Sequence, residues 1–285
     1  MTPKLSIILV NYRSADVLAD CLRSLHVATK EHLEVIVVDN SPDDGARDVL
    51  RTSGWSGHYY LQAENIGYTR AANLGAAHAT GDYLCFLNPD TVLEAHALDR
   101  LLAWVFQHSR TVAGPRERDP QGHITTSAFP FVTRRYLWGA NLLLKFPWPR
   151  SWHPWLPWLV PSYHYAARCR TATSPTVVPV LSGSCLVMSH QLWREVGPWQ
   201  EALTYFGLES EWFHRARRLG VTAWYVPDAV IFHEHAVSIR RGRRAPVRAE
   251  ANRNRRWHAR RLGWLALAIL LAVLWFEGRL KPSSD

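Results

Sequence analysis

Tyr83-Leu84-Cys85-Phe86-Leu87-Asn88-Pro89-Asp90-Thr91 is an apolar run that stops abruptly at a polar turn. Its apolar part, bounded by Gly81-Asp82 and Pro89, has the length of a strand buried on both faces. Pro89 has no N–H to donate and ends the ladder. Asn88 and Asp90 then stand just past the carboxyl end of a strand, where open α/β sheets place their ligands. A carboxylate there offers hard oxygen to a divalent cation. The same residues also read as a turn and an N-cap for a helix starting near Val92.

Upstream, the same strand-then-polar pattern recurs. Residues 5–10 are a first strand, and Asn11-Tyr12-Arg13-Ser14 supplies a turn and cap for a helix over about residues 15–25. Residues 33–38 are a second, β-branched strand ending at Asp39, whose carboxylate is placed to accept hydrogen bonds from a ribose hydroxyl or a base N–H. Residues 58–61 are a short third strand. It leads into a small-residue helix entered through Asn65 and Gly67, with Arg70 one turn inside. Free N–H groups at such a helix start, with an arginine beside them, suit a phosphate or a sugar hydroxyl. With the opening strand and a helix over about residues 93–107, three strand–helix units in ninety residues imply a mostly parallel, doubly wound α/β sheet.

Downstream the pattern loosens. Gly114-Pro115-Arg116 reads as a strand end and Asp119-Pro120-Gln121-Gly122 as a hairpin turn. Residues 136–165 are crowded with Trp, Tyr and Pro, which suits a bilayer interface, a lipid-linked acceptor, an apolar groove or a loop packed on the protein's own surface. A strand over 176–181 precedes Ser182-Gly183-Ser184, and a helix then runs to a stop at Gly220 with arginines in its last turn. Residues 221–226 and 229–232 read as late strands, leading to His233-Glu234-His235.

Of 285 residues, 47% are hydrophobic and 20% charged, which excludes a disordered chain. The net charge of +9 is concentrated between Arg240 and Arg261, which favours an anionic surface as partner. That basic segment abuts an apolar run at 262–276. As a helix it would measure about 22 Å against a hydrocarbon core of roughly 30 Å, a borderline span. An adjacent apolar helix argues for membrane attachment and against nucleic acid, with the arginines keeping the main domain on the cytoplasmic side. Cys21, Cys85, Cys169 and Cys185 are widely spaced and read as reduced structural thiols.

The series Leu5-Ser6-Ile7-Ile8-Leu9-Val10-Asn11-Tyr12, Val37-Val38-Asp39-Asn40, Asn65-Ile66-Gly67, Ala72-Asn73-Leu74-Gly75 and Leu87-Asn88-Pro89-Asp90-Thr91 resembles the family 2 glycosyltransferases, in particular their rhamnosyltransferase-like branch. The resemblance implies a GT-A fold over residues 1–238. Residues 1–110 would be the nucleotide-sugar half and 111–238 the acceptor half, followed by a basic juxtamembrane segment at 239–261 and a membrane-associated helix at 262–276. It implies that Asn11, Tyr12, Asp39, Asn65, Gly67, Arg70, Asn73 and Asn88 line the nucleotide-sugar site. Asp90 would hold Mg2+ or Mn2+ against the diphosphate, with His233 touching the metal or diphosphate. Asn88 replaces the first acid of the commoner metal motif.

Inverting sugar transfer needs one base for the acceptor hydroxyl. Aligning Arg215-Ala216-Arg217-Arg218-x-Gly with the family's matching helix puts Glu209 at the second member of its acidic pair. Glu211 is the next choice, and Leu208 stands where the first acid is expected. The implied function is an inverting, metal-dependent transfer of a sugar, with rhamnose the candidate, from a nucleoside diphosphate to a lipid-linked or polysaccharide acceptor in the cell envelope. The implied location is the cytoplasmic face of the plasma membrane. Two rivals share the residues: a non-catalytic nucleotide-sugar or glycan binder, and a nucleotidyltransferase.

Overall fold

The computed structural model describes residues 4–43, 45–55, 57–133, 161–204, 207–234 and 244–263. The first half alternates as expected: β1 Leu5–Asn11, α1 Ala15–Ala28, β2 Leu33–Asp39, α2 Gly45–Thr52, β3 Gly57–Leu61, α3 Tyr68–His78 and β4 Tyr83–Leu87. Then come β5 Thr91–Leu93, α4 Ala97–Gln107, β6 Thr111–Arg118 and β7 Ala128–Phe129. The second half adds α5 Pro161–Thr171, β8 Thr176–Val178, β9 Val180–Leu181, β10 Cys185–Ser189, α6 His190–Val196, α7 Leu208–Arg218, β11 Thr222–His233 and α8 Arg244–Arg261.

Among the described residues one sheet runs in the order β3-β2-β1-β4-β10-β6-β11-β5, with β8 also on β11. The β3-β2-β1-β4 part is parallel, as is β6 with β11, while β10 is antiparallel to both β4 and β6. Every position of β1 is buried, which is what a central parallel strand covered on both faces requires. Alternation divides its side chains between two layers. Ile7 and Leu9 pack with Leu18, Leu22, Leu98 and Leu101 from α1 and α4, and Ile8 and Val10 pack with Ala71 and Ala76 from α3. The second layer is closed by an aromatic nest. Trp199 lies within 5.4–5.5 Å of the rings of Phe86, Trp193 and Trp212, each such pair adding about 0.5–1.5 kcal/mol beyond simple burial.

The structure departs from the sequence reading at four places. Thr91–Leu93 is a strand rather than the start of a helix, because it pairs antiparallel with Ile231–His233, and α4 begins at Ala97. Strand β6 does not end at Pro115 but continues to Arg118, since Pro115 lies beside the irregularity between Val226 and Val230 where no ladder N–H is demanded. The two late strands are one, Thr222–His233. The strand expected over 176–181 is split at Pro179, its halves pairing with β11 and β7. All four cysteines are free and buried. Most of the aromatic stretch 136–165 and of the apolar run 262–276 lies outside the described residues, as does His235. No helix among the described residues is long and apolar enough to cross a membrane.

Candidate active site

Strand β4 ends at Leu87, and the chain is fixed immediately beyond it. Asn88 N–H donates to Ser184 O at 2.8 Å, and Thr91 Oγ1 donates back to Asn88 O at 2.7 Å. The β5–β11 pairing sets His233 opposite Thr91, and Glu234 N–H donates to Asp90 O at 3.0 Å. That pairing brings together residues far apart in sequence: His233 Nε2 lies 3.1 Å from Asp90 Oδ1 and 3.5 Å from Asn88 Nδ2. On its other side His233 Nδ1 lies 3.2 Å from Glu117 Oε2, and Ser184 Oγ donates to Glu117 Oε1 at 2.6 Å.

These groups set one another's charge. Burial works against protonated His233, but the carboxylates of Asp90 and Glu117 outweigh it and push the imidazole up to about 9. Burial likewise opposes ionised Glu117, and the hydrogen bond and charge of His233 outweigh it, holding the carboxyl below its usual range. An octahedral Mg2+ or Mn2+ with ligands near 2.1 Å puts neighbouring donors roughly 3.0 Å apart. The 3.1 Å between Asp90 Oδ1 and His233 Nε2 fits that spacing. No group of three or more His, Cys, Asp or Glu among the described residues could hold a metal alone. A cation here would therefore draw its remaining ligands from substrate or water.

Glu209 approaches from α7. Gly207, at φ +76°, begins that helix in the left-handed region that favours glycine, and Glu209 follows in the first turn, where free N–H groups and the helix dipole favour an acid. Burial raises its carboxyl to about 7, against the pull of its own N–H and that of Gly183, and Glu117 raises it further. The carboxylate lies on Gly183, the neighbour of Ser184, so one turn touches both Glu209 and the Glu117–His233 pair. Tyr68, at the head of α3, feels the same carboxylate: burial first and Glu209 second push its phenol upward. Leu208, where an acid was expected, is buried in the core.

Glu211 does not share this environment. It is buried, with both oxygens 3.1 Å from Arg215 Nε and Oε1 3.4 Å from Arg261 Nη1. Arg215 also donates to Val196 O and Pro198 O, so Glu211 anchors α7 to the loop after α6 and to α8. Its oxygens are occupied by arginines, whereas those of Glu209 lie at Gly183.

At the end of β2, Asp39 is completely buried and accepts from Asn11 Nδ2 at 2.8 Å, Ser41 N–H at 2.9 Å and Tyr59 OH at 2.7 Å. Asn11 is buried with it and takes Ser14 Oγ on its other end. Both therefore brace the strand ends in this structure. Tyr12, with Arg13 stacked 5.5 Å from its ring centre, stays partly exposed beside them. Asn65 Oδ1 receives the N–H of Gly67, shaping the entrance to α3, and Arg70 is exposed and paired with Glu201 at 3.3 Å. The amide of Asn73 both donates to and accepts from the backbone of Trp199, pinning the aromatic nest.

Glu117, Ser184 and Tyr59 were not singled out from sequence. Glu117 was hidden between Arg116 and Arg118, although the alternation from Ala113 through Pro115 marks it as inward-facing.

Residues 6–140 match the family model described as glycosyl transferase family 2. Over those residues the chain matches a family 2 glycosyltransferase domain. The match covers Asp39 and the Asn88–Asp90 turn, while Glu209 and His233 lie beyond it. The chain is 29% identical over 257 residues to an N-acetylglucosaminyl-diphospho-decaprenol L-rhamnosyltransferase of Mycobacterium tuberculosis, covering 84% of this chain and 78% of that protein. It is 33% identical over 112 residues to an uncharacterized glycosyltransferase of Nostoc, covering 38% of this chain and 34% of that one. Its fold is that of GT-A enzymes. GalNAc-T7 with UDP, GalNAc and Mn2+ superposes with a TM-score of 0.55 at 15% identity, covering 81% of this chain and 43% of that one. A mannosyltransferase from Pyrobaculum calidifontis, in complex with GDP-Man and Mn2+, gives 0.52 at 18% identity over 99% of this chain and 77% of that one.

Proposed function

We propose that this glycosyltransferase moves a sugar, with inversion, from a nucleoside diphosphate donor to a lipid-linked or growing glycan acceptor of the cell envelope. The observation that carries the reading is the convergence of Asp90 and His233 at the end of β4, at the spacing of neighbouring ligands on a small divalent cation. Such a cation would neutralise the leaving diphosphate as a Lewis acid. Asp90 and His233 would hold it, with Asn88 beside them. Glu209, raised toward neutrality, takes the proton from the acceptor hydroxyl as that oxygen attacks the sugar carbon. Asp39, Asn11 and Tyr12 shape the nucleotide corner, with the Asn65–Gly67 entrance and Arg70 flanking it.

The Mycobacterium tuberculosis relative supports a lipid diphosphate acceptor and makes rhamnose the first donor sugar to test. The arginine-rich C-terminal segment supports attachment to an anionic membrane, on the cytoplasmic face where nucleotide sugars are found. The experiment is a panel of nucleotide sugars with Mg2+ or Mn2+, measuring the released nucleotide with and without membrane-extracted lipid acceptor. Acceptor-dependent release of nucleoside diphosphate, lost in Asp90→Ala and Glu209→Gln, supports the reading. Pyrophosphate release would make the protein a nucleotidyltransferase. Donor binding without turnover would make it a binding protein.

A further inference from the structure

We propose that Glu117 is a positioning residue for the cation site, holding His233 so that its Nε2 is presented beside Asp90. The inference rests on the reading of Asp90 and His233 as cation ligands.

A completely buried glutamate is costly unless both oxygens are satisfied. Here each has a definite partner. Oε1 accepts from Ser184 Oγ at 2.6 Å, and Oε2 faces His233 Nδ1 at 3.2 Å. The backbone enforces the second contact. Strands β6 and β11 run parallel with Glu117 paired to Ile231 and Arg118 to Phe232, which brings Glu117 alongside the end of β11. A carboxylate at Nδ1 keeps a proton on that nitrogen, so a cation arriving at Nε2 has to displace only the proton that Nε2 shares with Asp90. Nε2 is the nitrogen 3.1 Å from Asp90 Oδ1. The carboxylate–histidine–cation order is therefore built into strands β6, β11 and β4 together.

Ser184 gives the arrangement a second level. It stands in the turn before β10, where its O accepts from Asn88 N–H, so one residue sets both the carboxylate behind His233 and the backbone leading to Asp90. Glu117 stands behind the ring and Asp90 in front of it, so the orientation of His233 toward the end of β4 is held at both nitrogens.

The test is Mn2+ binding by the full chain, followed by electron paramagnetic resonance of the free ion, with excess dTDP, UDP or GDP in turn. Glu117→Gln preserves shape and removes charge, and Ser184→Ala removes only the hydroxyl. Outer partners of this kind change metal affinity by roughly 10–100-fold, and that loss is expected in Glu117→Gln, with a smaller one in Ser184→Ala. Nucleoside diphosphate affinity without metal should stay within twofold of wild type. Wild-type Mn2+ affinity in both variants overturns the inference, as does an equal loss of metal-free nucleotide affinity, which would mark a structural role. If Glu117→Gln does not fold, Ser184→Ala decides. If the wild type takes up no Mn2+ with any of the three nucleotides, the cation-site reading falls and this inference with it. Uptake that the variants leave unchanged overturns this inference alone.

Discussion

The carboxylate of Glu209 rests on the Cα of Gly183: a Cβ added to Gly183 would lie 2.6 Å from Glu209 Oε1. The colliding atom is the far end of a flexible side chain, so Gly183→Ala should fold and melt near wild type while displacing the carboxylate. A shift of about 1 Å in a reacting group can cost 10²-fold. The turnover number should therefore fall by at least tenfold with donor affinity unchanged. A fully active Gly183→Ala would remove Glu209 from the role of base.

The ionisation of Glu209 gives a second expectation. Its carboxyl is pushed up to about 7 by burial, and only the deprotonated form can accept the hydroxyl proton. Activity should fall on the acid side of a midpoint near 7, approaching one decade per pH unit. Glu209→Gln should reduce transfer by at least 10²-fold above pH 7 while binding donor normally, with the gap to wild type narrowing as the pH falls. A pH–rate profile flat from 5 to 8 contradicts the assignment.

Glu211→Gln should behave in the opposite way. The substitution strips charge from a buried carboxylate holding Arg215 at 3.1 Å, and should lower stability by about 1–3 kcal/mol in urea unfolding. Turnover per folded molecule should stay within a few-fold of wild type. The two substitutions, made in one helix, separate the chemistry of α7 from its anchoring.

The course of the chain explains what could be read in advance. Strands β1, β2 and β4 were legible because each is an apolar run with a polar stop, and those stops carry Asn11, Asp39 and Asp90. The partners of those residues carry no signal in their own stretches, and only the family resemblance put His233 near Asp90. His233 reaches Asp90 only because Thr91–Leu93 pairs with the end of β11, an antiparallel contact with no local signal. Glu117 resembles any charge in the run Arg-Glu-Arg until the sheet turns it inward. Asn73 and Glu211 had suitable chemistry in a suitable stretch, and the structure gives them to Trp199 and to Arg215 instead.

At the end of β2, Asp39 carries hydrogen bonds from Asn11, Ser41 and Tyr59 on a completely buried carboxylate. Asp39→Asn would replace a charged acceptor of three hydrogen bonds by a neutral one and make Tyr59 OH turn to accept, at a cost of about 1–3 kcal/mol. Thermal unfolding should show that loss, and calorimetry with a nucleoside diphosphate should show weaker binding. Unchanged nucleotide affinity in a destabilised Asp39→Asn would separate Asp39 from the ligand site.

The last expectation concerns the C-terminal helix α8, which docks on the helix bearing Glu209. His258 is buried with its Nε2 3.0 Å from Gly207 O, and burial first, then the Arg261 charge, push its imidazole down to about 4. The sign follows from comparing states. Above the ordinary value of about 6.5 the ring is neutral whether α8 is docked or free, and the docked contribution is complete. Between about 6.5 and 4 the free form takes up a proton that the docked form refuses, so docking weakens as pH falls through that window. Hydrogen exchange of α8 amides, corrected for intrinsic rates, should show lower protection at pH 5 than at pH 7.5. His258→Phe fills similar space without a titrating nitrogen. It should lose about 1 kcal/mol with the Gly207 hydrogen bond and abolish the difference between the two pH values. Persistence of that difference in His258→Phe would place the acid sensitivity elsewhere. Because Gly207 is the residue before α7, weaker docking should also loosen the start of the helix that positions Glu209.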